Sequence, residues 1–168
     1  QGKKLNLEAT RQAINALTWG EMLDDKTAYL EISSFGQGLH TSTENYLKFF
    51  KEKNAKNLII DFRDNGGGYL DVINALAELF FEEGDTIYYE EFKSGQKQSY
   101  EVSNSRASNY KFDDIVVLVY ENTASASEVF ALALRDNLGA KIVGNVTYGK
   151  GTVQTQLQDG VDKSYLKV

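Results

Sequence analysis

Asn57-Leu58-Ile59-Ile60-Asp61-Phe62-Arg63-Asp64-Asn65-Gly66-Gly67-Gly68 changes character twice. Leu58, Ile59 and Ile60 form a short apolar run that stops at Asp61, the pattern of a buried strand. Arg63 to Gly68 is polar and ends in three glycines, the composition of a loop. Behind it Tyr69, Val72, Ile73, Leu76 and Phe80 recur at helical spacing. Strand, glycine loop and helix open an α/β unit, and α/β is the fold class expected.

Downstream the pattern recurs. Ile115–Tyr120 (IVVLVY) is almost wholly apolar and reads as an inner strand. Ser125 to Asn137 reads as a helix with Ala126, Val129, Phe130 and Ala133 on one face. Lys141–Gly144 is a short strand, and Gly149-Lys150-Gly151 turns the chain into an extended Thr152–Leu157. Asp159-Gly160 signals a turn before a last strand at Ser164–Val168. Upstream, Ala28–Ser33 alternates apolar and polar as a strand does. Thr41 and Glu44 have capping-box spacing at the head of a helix carrying Tyr46, Phe49 and Phe50. Residues 86–112 read as a surface hairpin, and the polar first 25 residues hold only a weak strand pattern, at Lys4–Thr10.

Composition narrows the chemistry. The 168 residues carry a net charge of −6, which disfavours a general nucleic-acid binder, because phosphates call for a basic face. No run of some 18 apolar residues exists to span a membrane as a helix. With no cysteine and a single histidine, His40, the chain has no thiol nucleophile and a poor ligand set for zinc. His40 lies in a glycine-containing stretch and is read as an exposed loop residue. Proline is absent, so Gly, Asn and Asp supply the turns.

Three places carry candidate chemistry. Gly66–Gly68 can expose backbone N–H groups to a ligand oxygen at a helix start, although a plain flexible turn uses the same glycines. Neither dinucleotide nor P-loop spacing surrounds them. Ser125 follows a buried strand and precedes a helix, a good place for a nucleophile with amide donors beside it. Ser125-x-x-Glu128 is equally a capping box, which needs no chemistry. Lys150, between two glycines, can be drawn into a cramped site, where burial would favour the neutral base. Gln154, an even number of residues on, shares its face in an extended segment. An ordinary glycine turn with an exposed lysine fits those residues as well.

Taken together and in order, these pieces resemble the C-terminal processing (tail-specific) proteases, serine peptidase family S41. Asp61 to Gly68 resembles the family's strand–loop, and Ser125-Ala126-Ser127-Glu128 its nucleophile motif. Val143-Gly144 with Thr147 to Gln154 is similar to its lysine motif, and Tyr29 to Phe35 to its first strand. Ser125 and Lys150 are 25 residues apart, and Lys150 and Gln154 are 4 apart, as in that family. The resemblance implies a ClpP/crotonase-like core built from ββα units. It implies a serine endopeptidase acting near protein C-termini, with Ser125 as nucleophile, Lys150 as general base and Gln154 orienting the lysine. The Ala126 N–H and one from Gly67 or Gly68 would form the oxyanion hole. Asp136 matches an acidic position near that site and is read as structural. No metal or organic cofactor is implied. The partner is a protein or peptide substrate, and the compartment an extracytoplasmic one.

Two departures stand out. Gly66 replaces a proline usual in the family, and residues 1–27 leave no room for the customary PDZ domain. That segment is read as the end of such a domain plus linker, and residues 28–168 as the protease core. Two other readings stay open: a crotonase-like acyl-transfer enzyme, and a catalytically silent peptide-binding domain in which Ser125 only caps a helix.

Overall fold

The computed structural model describes residues 17–154 together with two short strands, Gln156–Gln158 and Tyr165–Lys167. The Lys4–Thr10 pattern and the Asp159-Gly160 turn lie outside the described residues. In chain order the elements are β1 (Thr18–Met22), β2 (Thr27–Ile32), α1 (Leu39–Glu52), β3 (Asn57–Asp61), α2 (Leu70–Ala77), β4 (Thr86–Glu91), β5 (Lys97–Glu101), β6 (Asp114–Val119), α3 (Ala126–Leu138), β7 (Lys141–Gly144), β8 (Gln156–Gln158) and β9 (Tyr165–Lys167).

The main sheet has the order β1-β2-β3-β6-β7. β1 and β2 are antiparallel; the other pairs are parallel. Period-two alternation decides what the sheet buries. Leu30, Ile60 and Val117 are in register across three strands, and all three are fully buried. Tyr29, Ile59 and Val116 form the row on the opposite face and are only partly covered. The sheet extends N-terminal of residue 28, because Thr18 to Met22 pair with Ile32 to Ala28.

β4 and β5 form the separate antiparallel hairpin expected within residues 86–112. Phe130 of α3 is fully buried, with Phe35, Phe62, Phe80 and Phe81 ring centroids 5.6–6.3 Å from its own. Burying one such ring contributes about 1.5–3 kcal/mol. This aromatic cluster fixes α3, and so the serine at its head, against the strand ends.

Three expectations need correction. The helix expected behind Thr41 starts earlier, at Leu39, with Gly38 as its N-cap at φ 88°. Leu39 is fully buried, and its anchorage draws the helix start ahead of Thr41. Glu44 forms no capping box; it pairs with Lys48 at 3.1 Å and Arg106 at 3.3 Å. His40 therefore lies in the first turn of α1, half-buried, with its Nε2 enclosed and without a partner among the described residues. Within the extended segment Thr152–Leu157, residues 152–154 are in no strand and β8 begins at Gln156.

Candidate active site

Parallel strands deliver their following loops to one edge of the sheet, where α/β proteins place ligands. The glycine loop follows β3, Ser125 follows β6 and Lys150 follows β7, and these three strands are neighbours. Topology thus gathers segments that are up to 84 residues apart in sequence, Gly66 to Lys150.

Asn65, fully buried, joins the first two segments. Its side-chain amide donates to the Ile32 carbonyl at 2.8 Å, and its Oδ1 accepts from the Gly67 N–H at 2.9 Å. Its own carbonyl accepts from the Ala124 N–H at 3.1 Å and the Ser127 hydroxyl at 2.9 Å. Thr123, also buried, donates its hydroxyl to the Phe62 carbonyl at 2.7 Å. Gly67 has φ 98°, and a Cβ there would lie 2.7 Å from the Ala124 oxygen and 2.9 Å from the Ser125 Cβ. Only glycine lets the loop come this close. The N–H groups of Gly68 and Ala126 have no acceptor among the described residues.

Ser125 is the N-cap of α3 and forms a capping box with Glu128. The Ser125 N–H donates to Glu128 Oε2 at 2.7 Å, and the Ser125 side chain faces the Glu128 N–H. Its backbone is not that of an ordinary cap. N-caps hold extended dihedrals, whereas Ser125 has φ 59° and ψ −119°. A non-glycine residue held there costs about 1–3 kcal/mol, and such strain gathers at functional turns. A nucleophile on a strained strand-to-helix turn has the same local architecture.

Lys150 reaches the same place from the other side. The Asn145 N–H donates to Val119 and the Tyr148 N–H to Thr123, tying the chain after β7 to the end of β6. Glu128 then accepts from the Thr147 hydroxyl at 2.6 Å, the Gly149 N–H at 2.7 Å and the Lys150 N–H at 2.9 Å. Burial by itself pushes this carboxyl up. The bonds from Thr147, Gly149, Ser125 and Lys150 outweigh that, and the carboxyl sits below its ordinary value.

Ser125 and Lys150 line one cleft of about 410 Å³. Leu70 and Val129 are apolar parts of its wall, and Tyr88 to Lys93 and Lys150 to Val153 line it as well. Among the described residues no hydrogen bond joins the Ser125 hydroxyl to the Lys150 amine. Gln154 is exposed and is not part of the cleft lining. Asp136 is exposed as well and pairs with Arg135 at 2.7 Å. Among the described residues no group of three or more His, Asp and Glu side chains could hold a metal ion, and no helix is long and apolar enough to cross a membrane.

Sequence reasoning missed two residues that organise the site. Asn65 reads as loop composition, and its place ahead of three glycines is the one signal of a role. Glu128 was visible as a capping partner, but its bonds to residues 147–150 leave no local signal. A second polar cluster lies at the ends of β2 and β3. Asp61 accepts from Arg63 at 2.7 Å and from the Tyr29 hydroxyl at 2.5 Å. Burial and that bond to Asp61 push the Tyr29 hydroxyl up to about 12.

A hydroxyl on a strained turn and a lysine thus line one cleft at the edge of an α/β sheet, with the Gly68 and Ala126 N–H groups without acceptors among the described residues. Peptidase family S41 matches residues 26–168, and the chain belongs to that family. The carboxy-terminal processing protease CtpA of Bacillus subtilis (strain 168) is 30% identical over 168 residues, covering 92% of this chain and 35% of that protein. The carboxyl-terminal-processing protease of Synechocystis is 35% identical over 158 residues, covering 90% of this chain and 36% of that protein. The chain thus spans about a third of the length of these relatives. Among solved structures, the photosystem II D1 C-terminal processing protease superposes with a TM-score of 0.74 at 24% identity, over 89% of this chain and 42% of that one. That likeness shows that the α/β fold is the one found in such proteases.

Proposed function

We propose that this chain is the catalytic core of a serine endopeptidase in which Ser125 attacks a peptide carbonyl and Lys150 is the general base. The observation that carries the reading is the backbone of Ser125. A helix cap gains nothing from φ 59°, whereas a nucleophile lifted off the strand end needs it.

Neutral Lys150 takes the Ser125 hydroxyl proton as the oxygen attacks. The tetrahedral oxyanion sits between the Ala126 and Gly68 N–H groups, since the Gly67 N–H is engaged by Asn65. Each such donor is worth about 3–4 kcal/mol of barrier. Lys150 then passes the proton to the leaving amine, and water, activated by the same lysine, releases the acyl group. Gln154 orients the lysine once the extended segment closes over a substrate. Substrate lies in the cleft as an extended strand beside β4, which pairs with β5 alone among the described residues, with Lys150 to Val153 also lining the cleft. The relatives' names support cleavage near protein C-termini, and the family resemblance alone supports an extracytoplasmic setting.

Ser125→Ala and Lys150→Ala should each abolish peptide cleavage while the fold survives. The double variant should be no worse than either single one, since residues acting as a unit are non-additive. Full activity in either single variant would refute the pair. The silent peptide-binding reading gains only from the capping box, which the Ser125 dihedrals do not require.

A further inference from the structure

Gly149-Lys150-Gly151 is held in an unusual way. Among the described residues its backbone makes hydrogen bonds to one group only, the Glu128 carboxylate. A capping box uses a single carboxylate bond, to the N-cap N–H. Glu128 makes that bond to Ser125 and adds three more, to Thr147, Gly149 and Lys150. The donors sort by oxygen: Oε1 takes Thr147 and Gly149, and Oε2 takes Ser125 and Lys150. One oxygen atom therefore ties the backbone of the nucleophile to the backbone of the lysine.

We propose that Glu128 is a positioning residue, whose carboxylate clamps the lysine turn onto the serine turn so that the Lys150 amine can reach the Ser125 hydroxyl. The inference rests on the reading of Ser125 and Lys150 as the reacting pair. Glu128 touches neither substrate nor the reacting atoms; to the backbone bonds that join the two loops further back, the Tyr148 N–H to Thr123 and the Asn145 N–H to Val119, it adds the ones that hold Lys150 itself against the serine turn. A misplacement of 1 Å in such a pair costs about 100-fold in rate. The site needs a carboxylate in particular. An amide keeps one accepting oxygen: an NH2 in place of Oε1 can donate to the Thr147 hydroxyl but meets the Gly149 N–H, and in place of Oε2 it meets two N–H donors, so Gln loses at least the Gly149 bond.

The test is the rate at which a fluorophosphonate labels Ser125, read by mass spectrometry, with thermal unfolding recorded beside it. Wild type, Thr147→Val, Glu128→Gln, Lys150→Ala and the Glu128→Gln/Lys150→Ala pair are compared. Thr147→Val, which loses one bond of four, should slow labelling severalfold. Glu128→Gln should slow it about 100-fold or more. Once the clamp is gone the lysine no longer acts on the serine, so adding Lys150→Ala to Glu128→Gln should change nothing further. A loss that is merely structural would leave the two effects additive. Labelling of Glu128→Gln within about threefold of wild type, or full additivity, overturns the clamp. If Glu128→Gln does not fold, Thr147→Val decides alone, and wild-type speed in that variant overturns the proposal. If wild type is not labelled, or Lys150→Ala is labelled as fast, the reacting pair is wrong and the clamp falls with it.

Discussion

A serine at the head of a helix ordinarily relaxes into extended backbone and turns its oxygen to the helix amides. Ser125 keeps the position and gives up the relaxed backbone. Its strain is sustained by neighbours that leave little freedom: Asn65 holds Ala124 and Ser127, Gly67 abuts the Ser125 Cβ, and Glu128 takes the Ser125 N–H. The Glu128 bonds also carry a pH signature. The carboxyl's ordinary value is 4.5, and the folded state holds it lower. A lowered folded value means that the bonds stabilise the fold above about pH 4.5, and that this is lost as pH falls through the folded value. Urea unfolding of wild type and Glu128→Ala should therefore differ more at pH 7 than at about pH 3. An equal gap at both would contradict the role of the ionised carboxylate.

At the scale of elements, α3 bears most of the demands of the site. Phe130, inside its ring of aromatic neighbours, sets the helix axis, and the axis aims Ser125 at the cleft. Phe130→Ala should cost about 3–5 kcal/mol in chemical denaturation. A loss under about 1 kcal/mol would mean that the cluster collapses to fill the space. Elements with strong local periodicity were legible in the sequence. The apolar runs of β3 and β6, the alternation of β2 and the stripe of α3 all lie close to where their patterns put them. Thr41 and Glu44 misled because the spacing of a capping box says nothing about tertiary anchorage, and buried Leu39 decided where α1 begins. His40 followed from the same error. Ser125 and Lys150 are legible through the ordered resemblance to the family, since each alone reads equally as a cap or a turn lysine. The links between them are not legible, since Asn65 and Glu128 act through contacts between loops.

For the whole molecule, topology explains why residues so distant in sequence share a cleft. Three adjacent parallel strands end at the same edge, and each hands one piece of the site to the loop that follows. The hairpin β4–β5 stands outside that sheet and closes one side of the cleft, so the strand order sets both the reacting groups and the groove beside them. The account stands on Lys150 serving as a base for Ser125, and a lysine can do that only when neutral. The most direct measurement is the pH dependence of Ser125 phosphonylation in wild type and in Lys150→Ala. The account predicts that the wild-type rate rises with pH as the base loses its proton, and that Lys150→Ala loses both the rate and that limb. An identical rising limb in the two proteins would show that Lys150 is not the base.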